Sequence, residues 1–398
     1  MINRSPCHPL AAQNPTLALR STSPRSLACR PWLALLPALL CSPALHAQSQ
    51  PGGPASSLQI YGLIDVAVEN ITSVGAAGHT LTRLPGNTAG SPSRLGFRGT
   101  EDLGNGLKAG FTLESGLGMD TGGLNQGGRL FGRQAFVSLG GAWGQLMLGR
   151  QHTMTFFSLL DADVLGASAH GLASLDSYLP NARADNALGY RGKWDAFSVG
   201  ATYSTGRDAV AAGNPGGTNC AGESSTDSKA CREWSALLKY DAPSWGLAVA
   251  QDVIRGGTGA FANLTSSALT DTRVNLNGWV RLGDVKLGAG VLHRRNGGSA
   301  ATPRSDIVYL GASLPVLPAL VLDAQVAQLK YQDSPNKALQ GVLRASYSLS
   351  KRTAVYGSLA RLDNSGTLAV SVSNGSAGGA PAAGGAQTGV MAGIRHSF

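Results

Sequence analysis

The chain has 398 residues, 54 of them Gly, only 14% charged residues and a formal net charge of +9; its mean hydropathy is zero. Beyond the N-terminal region no segment approaches the roughly 18 to 20 uninterrupted apolar residues of a membrane helix. A helical membrane protein is thereby excluded, but a barrel is not, because its alternating strands average their hydropathy to near zero. The basic excess is spread along the chain with no dense Lys/Arg patch or recognisable module, so nucleic-acid binding is not expected.

Arg4, Arg20, Arg25 and Arg30 precede an apolar core from Trp32 to Leu40, and Leu45-His46-Ala47 offers a cleavage site. Residues 1–47 therefore read as a secretory signal peptide and residues 48–398 as the mature domain, with the net charge falling to +5. Cys7, Cys29 and Cys41 fall in the signal, and Cys41 follows Leu39-Leu40 where a lipid-anchored cysteine would follow a small residue. The remaining pair, Cys220 and Cys231, closes a short polar segment, which in an oxidising compartment reads as a loop disulfide. No cofactor motif is present, and no His near the two cysteines completes a metal site.

The mature chain opens on an alternating strand, Leu58 to Glu69, followed by a polar loop from Asn70 to Gly90. Leu95 and Phe97 oppose Arg94 and Arg98. After a turn at Glu101–Gly106, Leu107, Ala109, Phe111 and Leu113 alternate with Lys108, Gly110, Thr112 and Glu114, which makes a hairpin. The pattern recurs over Gln134–Leu139 with Gln145–Gly149, Ala187–Arg191 with Phe197–Ser204, and Glu233–Tyr240 with Leu247–Val253. It continues over Arg273–Leu282 with Val285–His293, Ser305–Leu314 with Leu320–Ala327, and Leu339–Leu349 with Val355–Leu362. The last strand, Gly389 to Phe398, puts Val390, Ala392, Ile394 and Phe398 on one face. Pairing it with Leu58–Glu69 closes the sheet without edges. The expectation is an all-β, 16-stranded antiparallel transmembrane barrel with short turns on one rim and long loops on the other.

These residues resemble the general diffusion porins of Gram-negative bacteria, of the betaproteobacterial type. The matching pieces include Leu58-Gln59-Ile60-Tyr61-Gly62-Leu63-Ile64-Asp65, the run from Ser93 to Lys108, Phe131-Gly132-Arg133-Gln134-Ala135-Phe136-Val137, Leu148-Gly149-Arg150-Gln151, Leu349-Ser350-Lys351-Arg352-Thr353 and Gly393-Ile394-Arg395-His396-Ser397-Phe398. The resemblance implies a homotrimer in outer-membrane lipid, periplasmic turns and extracellular loops, and passive transport of ions and small hydrophilic solutes. It also implies that the terminal Phe398 strand is the address read by the assembly machinery, and that the third long loop, 151–186, folds inward as a constriction.

In that loop, Phe156, Phe157, Leu159, Leu160, Val164 and Leu165 are expected to pack on the wall while Asp161, Asp163, Asp176 and Asp185 face the channel. Strand parity places Arg94, Arg98, Lys108, Lys239, Arg273, Arg281, Lys286, Arg294, Arg344 and Arg395 on the wet face, against Asp65, Glu69, Glu114, Asp252 and Asp323. Ten basic against five acidic groups favours anions. Arg133 and Arg150 fall on the apolar parity, with no role assigned. Tyr190, Phe197, Tyr203, Trp234, Tyr240, Tyr347 and Phe398 suit interfacial girdles. Two rival readings are a substrate-specific channel and an outer-membrane hydrolase, the latter drawing on Ser158 or Ser168 with His152 or His170, though no nucleophile motif is present.

Overall fold

The structure, a computed structural model, describes residues 56–209 and 218–398; the signal segment 1–47 lies outside the described residues. In chain order the strands are β1 (Ser56–Val74), β2 (His79–Arg83), β3 (Arg94–Gly104), β4 (Leu107–Gly116), β5 (Gln134–Gly141), β6 (Gly144–His152), β7 (Arg183–Ala184), β8 (Ala187–Trp194) and β9 (Phe197–Ser204). They continue as β10 (Glu233–Asp241), β11 (Trp245–Arg255), β12 (Thr270–Leu282), β13 (Val285–Asn296), β14 (Arg304–Leu317), β15 (Leu320–Tyr331), β16 (Lys337–Ser348), β17 (Thr353–Ser365) and β18 (Ala386–Ser397). β2 pairs with the end of β1, and β7 adds two residues beside β6. The other sixteen form the wall of a closed antiparallel barrel.

Closure is made where the alternating first and last strands predict it. β1 pairs with β18 from Leu63 opposite Ser397 to Ile71 opposite Gly389. Its earlier half, Ser56 to Leu63, pairs with β3, so this one long strand bridges both ends of the sheet. Every wall strand then has two neighbours, which satisfies the backbone groups that hydrocarbon cannot. Phe398 completes the seam: its N–H donates to the Gly62 carbonyl and its own carbonyl accepts from the Gly62 N–H, both at 3.1 Å.

Alternation sorts the faces. Leu310, Val326 and Leu343 are 62%, 56% and 59% exposed on the outside, whereas Leu329 and Val342 on the inside are 4% exposed. The outer face is the apolar band a bilayer requires. Rings collect near its margins: Phe197, Tyr240 and Trp245 meet at the short-turn rim, with successive centroids 4.9 and 5.0 Å apart. Tyr203 and Trp234, paired across β9 and β10, are exposed nearer the long-loop rim.

The strands outrun the sequence-based bounds because polar and glycine residues continue the ladder beyond the apolar band. β8 runs to Trp194, leaving only Asp195-Ala196 as its turn, and β12 to β17 each extend toward the long loops. The segment read as a loop from Asn70 also differs: β1 continues to Val74 and folds back as β2. The tight turn Asn105-Gly106 has φ of +52° and +77°, the left-handed pair that a two-residue hairpin turn demands.

Gly62 sits where the Phe398 ring and the Arg94 carbonyl crowd any added Cβ. Gly62→Val should cost about 1–3 kcal/mol by overpacking the seam. The readout is the heat-modifiable gel shift of refolded protein; an unchanged unfolding temperature would contradict the seam packing.

Candidate functional site

The barrel interior is divided by the long segment between β6 and β8. The inner face of β13 to β17 is not wet throughout, because Leu292, Ile307, Tyr309, Leu329, Val342 and Leu362 point inward. Left in water these side chains would each forfeit roughly 1.5–3 kcal/mol of burial. Leu159, Leu165, Leu172, Leu175 and Leu179 of the segment cover them and form one buried cluster. The wall leaves room at Gly288 and Gly389, where a Cβ would meet the Ala162 carbonyl and the His170 ring.

Polar ties fix the segment along its length. A helical turn, Met154–Leu159, begins with the Met154 N–H donating to Ser235 Oγ (3.0 Å) and the Thr155 N–H to Asp252 Oδ1 (3.3 Å). Asn275 and Asn277 donate to Thr155 and Ser158. Farther on, Gln325 donates to Asp163 Oδ1 (2.8 Å), and Arg344 donates to the carbonyls of Leu165 (3.0 Å) and Val164 (3.1 Å) while pairing with Asp323. His170 is fully buried between Ser358 Oγ (2.8 Å) and Glu69 Oε1 (3.1 Å). On the return, Asp176 accepts from Arg273 Nε (2.8 Å), and the Tyr178 hydroxyl donates to Glu233 (2.8 Å) and Asp252 (2.6 Å). The Tyr178 ring also has the Arg273 and Arg207 guanidiniums over it, 4.3 and 5.0 Å from its centroid.

The expectation for the loop carboxylates needs correcting. Its apolar side does pack on the wall, but Asp163 and Asp176 turn to the wall as well, because a buried carboxylate requires donors and the wall supplies them. Burial pushes Asp163 up to about 6, with the Gln325 and Leu165 donors offsetting it only in part. Burial acts on Asp176 too, but Arg273 and then Arg294 hold it below the usual carboxylate range. Asp161 is the more open of the three and pairs with Lys239. Asp185 joins Arg150 (2.6 Å) and Arg129 (3.0 Å).

Across the barrel the wall is left uncovered. Arg94, Arg98 and Lys108 lie on the inner face of β3 and β4, at successive levels toward the short-turn rim. Arg98 and Arg191 line a cavity of 790 Å³ with Lys108, Thr112, Ser138 and Gln145, and no carboxylate borders it. Nearer the constriction Glu114 accepts from Arg133 Nε (2.6 Å) and Tyr61 (3.0 Å), with Arg94 at 3.8 Å. Arg183, 1% exposed, adds a third guanidinium whose Nε and Nη2 lack hydrogen-bond partners. Parity missed these inner positions. Arg133 precedes β5, and Arg150 follows Gly149, whose φ of +124° breaks the alternation. Arg183 gave no sequence signal apart from its place in the long segment.

The remaining residues are dispersed. Asp65, 2% exposed, lies under Tyr356 at the β1–β18 seam and accepts from the Gly90 N–H. Arg281 is exposed one residue before the end of β12, opposite Lys286 at the short-turn rim. Cys220 and Cys231 form the expected disulfide, with Cα atoms 5.2 Å apart. For the hydrolase reading, Ser158 donates to the Thr155 carbonyl and His152 stacks on Phe156. Ser358, His170 and Glu69 are connected like a catalytic relay, but His170 and Glu69 are 0% exposed and Ser358 6%, so the relay acts as a latch with no path for substrate.

A family model described as Gram-negative porin matches residues 33–367. The chain belongs to the Gram-negative porin family. This porin is 32% identical over 367 residues to outer membrane porin protein 32 of Delftia acidovorans, which spans 89% of this chain and 98% of the relative. It is 40% identical over 116 residues to an outer membrane porin protein of Bordetella pertussis, 28% of this chain and 30% of that one. Among solved structures, the anion-selective porin from Comamonas acidovorans superposes with a TM-score of 0.70 at 29% identity, covering 86% of this chain and all of that one. The porin is thus an outer-membrane barrel for passive diffusion and not an enzyme.

Two outcomes follow from the loop geometry. Arg273→Ala, which strands buried Asp176, should cost the loop about 3–5 kcal/mol of docking and turn steady single-channel current into flickering; a quiet record would contradict the tie. Because the Asp163 pKa is raised on docking, the stabilisation it contributes is complete below its ordinary value of 3.8 and fades as pH rises through about 6. Current noise should therefore increase between about pH 4 and pH 7 in the wild type, and Asp163→Asn should flatten that step.

Proposed function

We propose that this porin passes ions and small hydrophilic solutes between the docked third loop and the β3–β6 wall, with a mild preference for anions. The observation that carries the reading is the charge imbalance of that passage. Arg98, Lys108 and Arg191 border the 790 Å³ cavity, whose lining holds no carboxylate; Asp102 lies directly opposite Lys108 but outside that lining, and no acid lies within ion-pair distance of any of the three among the described residues. Higher up, Arg94, Arg133 and Arg183 surround the single carboxylate of Glu114. The loop acids offset little of this, because Asp163 and Asp176 are committed to the wall and Asp161 to Lys239.

A low-dielectric barrel focuses such a field, lowering the entry cost of anions and raising that of cations. Of the expected basic set, Arg94, Arg98 and Lys108 are assigned to the pathway wall. Arg273 and Arg344 hold the loop, and Arg281 guards the short-turn exit. The Comamonas acidovorans relative is an anion-selective porin, which supports the same sign of selectivity. By the family resemblance we also assign residues 1–47 as the cleaved signal, a homotrimer as the assembly, and Phe398 as the residue recognised during barrel insertion.

The test is the reversal potential of purified porin in a planar bilayer under a salt gradient, repeated with Arg94→Ala/Arg98→Ala. Anion preference that weakens in the double variant is expected. Cation preference in the wild type would reject the charge assignment, and absence of conductance from correctly folded protein would reject the open pathway.

A further inference from the structure

The channel face of the third loop is apolar where the wall opposite it is basic. The loop runs along the wall from Lys239 on β10 to Glu69 on β1 and returns past Arg273 on β12. Between its outward and returning arms lies a hollow of 60 Å³ lined by Phe156, Leu159, Leu160, Leu172, Leu179 and Pro180, together with small residues. Among the described residues, Asp163 is the one ionisable group in that lining, and it is already taken by Gln325 (2.8 Å) and the Leu165 N–H (3.1 Å). Leu159, Leu172 and Leu179 are buried and form the floor, whereas Leu160 stands at the lip, 55% exposed. Gly166, on the same margin, has open space where a Cβ would stand.

A single exposed leucine on a protein surface needs no explanation. This one lies inside the barrel, where a loop side chain that does not face the wall faces the passage, and guanidiniums stand close by. Arg191 holds its guanidinium 4.6 Å from the Phe157 ring centroid, and His152, in register with Arg183, stacks on Phe156 at 3.8 Å. Across the passage the Arg94 side chain is 28% exposed and 3.8 Å from Glu114, which Arg133 holds more closely at 2.6 Å. That carboxylate is thus shared between two guanidiniums, and Arg94 keeps charge to offer a passing anion.

We propose that the constriction favours, among anions, those with an apolar ring or branched alkyl body. The body would lie over Leu160 and in the hollow while the anionic group stays with Arg94 on the facing wall. This rests on the anion pathway proposed above and adds to it the class of solute. The occupant follows from the pairing of the two surfaces. A polyhydroxylated anion would find no free side-chain donor or acceptor among the described residues of the hollow, and its hydroxyls would go unpaired there. A bare ring instead gains by covering apolar surface as both shed their ordered water. A neutral apolar solute lacks the group that the guanidiniums hold, and an apolar cation is repelled by them.

The test places purified porin in planar bilayers at neutral pH, with chloride on one side and either cyclohexanecarboxylate or shikimate on the other. The reversal potentials then give the permeability of a bare and of a hydroxylated ring carboxylate, each relative to chloride. Wild type should favour cyclohexanecarboxylate over shikimate. Leu160→Ser should lower that ratio about fivefold, as suits one apolar contact at an open lip, and Leu160→Met should retain it, with the heat-modifiable gel shift as the check of folding. Equal permeability of the two organic anions in the wild type would overturn the proposal. So would a ratio that Leu160→Ser leaves in place, since size alone would then set it. Either result leaves the anion pathway standing when chloride still outruns potassium under a salt gradient, whereas potassium preference in the wild type would reject that pathway and this inference with it.

Discussion

The arrangement depends on one contact, the burial of the third loop's leucines against an apolar stripe on the inside of the barrel. A water-filled barrel has no reason to present Leu292, Ile307, Leu329, Val342 and Leu362 to its lumen unless something dry lies over them. Leu159, Leu165, Leu172, Leu175 and Leu179 are that cover. Once the loop occupies this side, the open cross-section is confined to the opposite wall. Which charges solutes meet is then decided by which strands remain bare.

The polar groups follow from the same constraint. Ordering a long segment costs conformational entropy, and apolar burial alone does not set its register along the wall. Asp163, Asp176, Tyr178 and His170 meet Gln325, Arg273, Asp252 and Glu69 at three separate places around the barrel, the Asp176 and Tyr178 ties sharing one because Arg273 and Asp252 are cross-strand neighbours. Each tie neutralises or satisfies a group that would otherwise be stranded in a protein environment. As a result the loop contributes little free negative charge. The asymmetry across the passage is therefore one of basic wall against largely neutralised loop, and not a balanced pair of opposed charged surfaces.

Much of the fold was legible because a barrel strand has a period of two and an apolar outer face. Runs such as Val274, Leu276, Val280, Leu282 identified their strands and faces directly, and the pairing of Leu58–Glu69 with the C-terminal strand followed from the need to close the sheet. Strand ends were less legible, since residues such as Thr270, Lys337 and Ser365 have the composition of loops and are held only by their neighbours. The site was legible in part. Parity found Arg94, Arg98 and Lys108 but fails wherever the backbone leaves the extended state, as at Gly149, and so could not turn Arg150 inward. Nor could it show that Arg273 and Arg344, on the same inner parity as Arg98, are consumed in holding the loop. That distinction requires knowing which wall the loop covers, and the loop's own sequence does not specify it.

The most direct measurement is the accessibility of two inner-wall positions to a charged, thiol-specific reagent during single-channel recording. Thr112 lies on the bare wall beside Arg98, whereas Gln325, 3% exposed, lies beneath the loop and donates to its Asp163. Thr112→Cys is predicted to lose conductance stepwise on modification, and Gln325→Cys to remain unmodified in the open channel. Equal modification at both positions would mean that the loop does not cover that wall and would contradict the account.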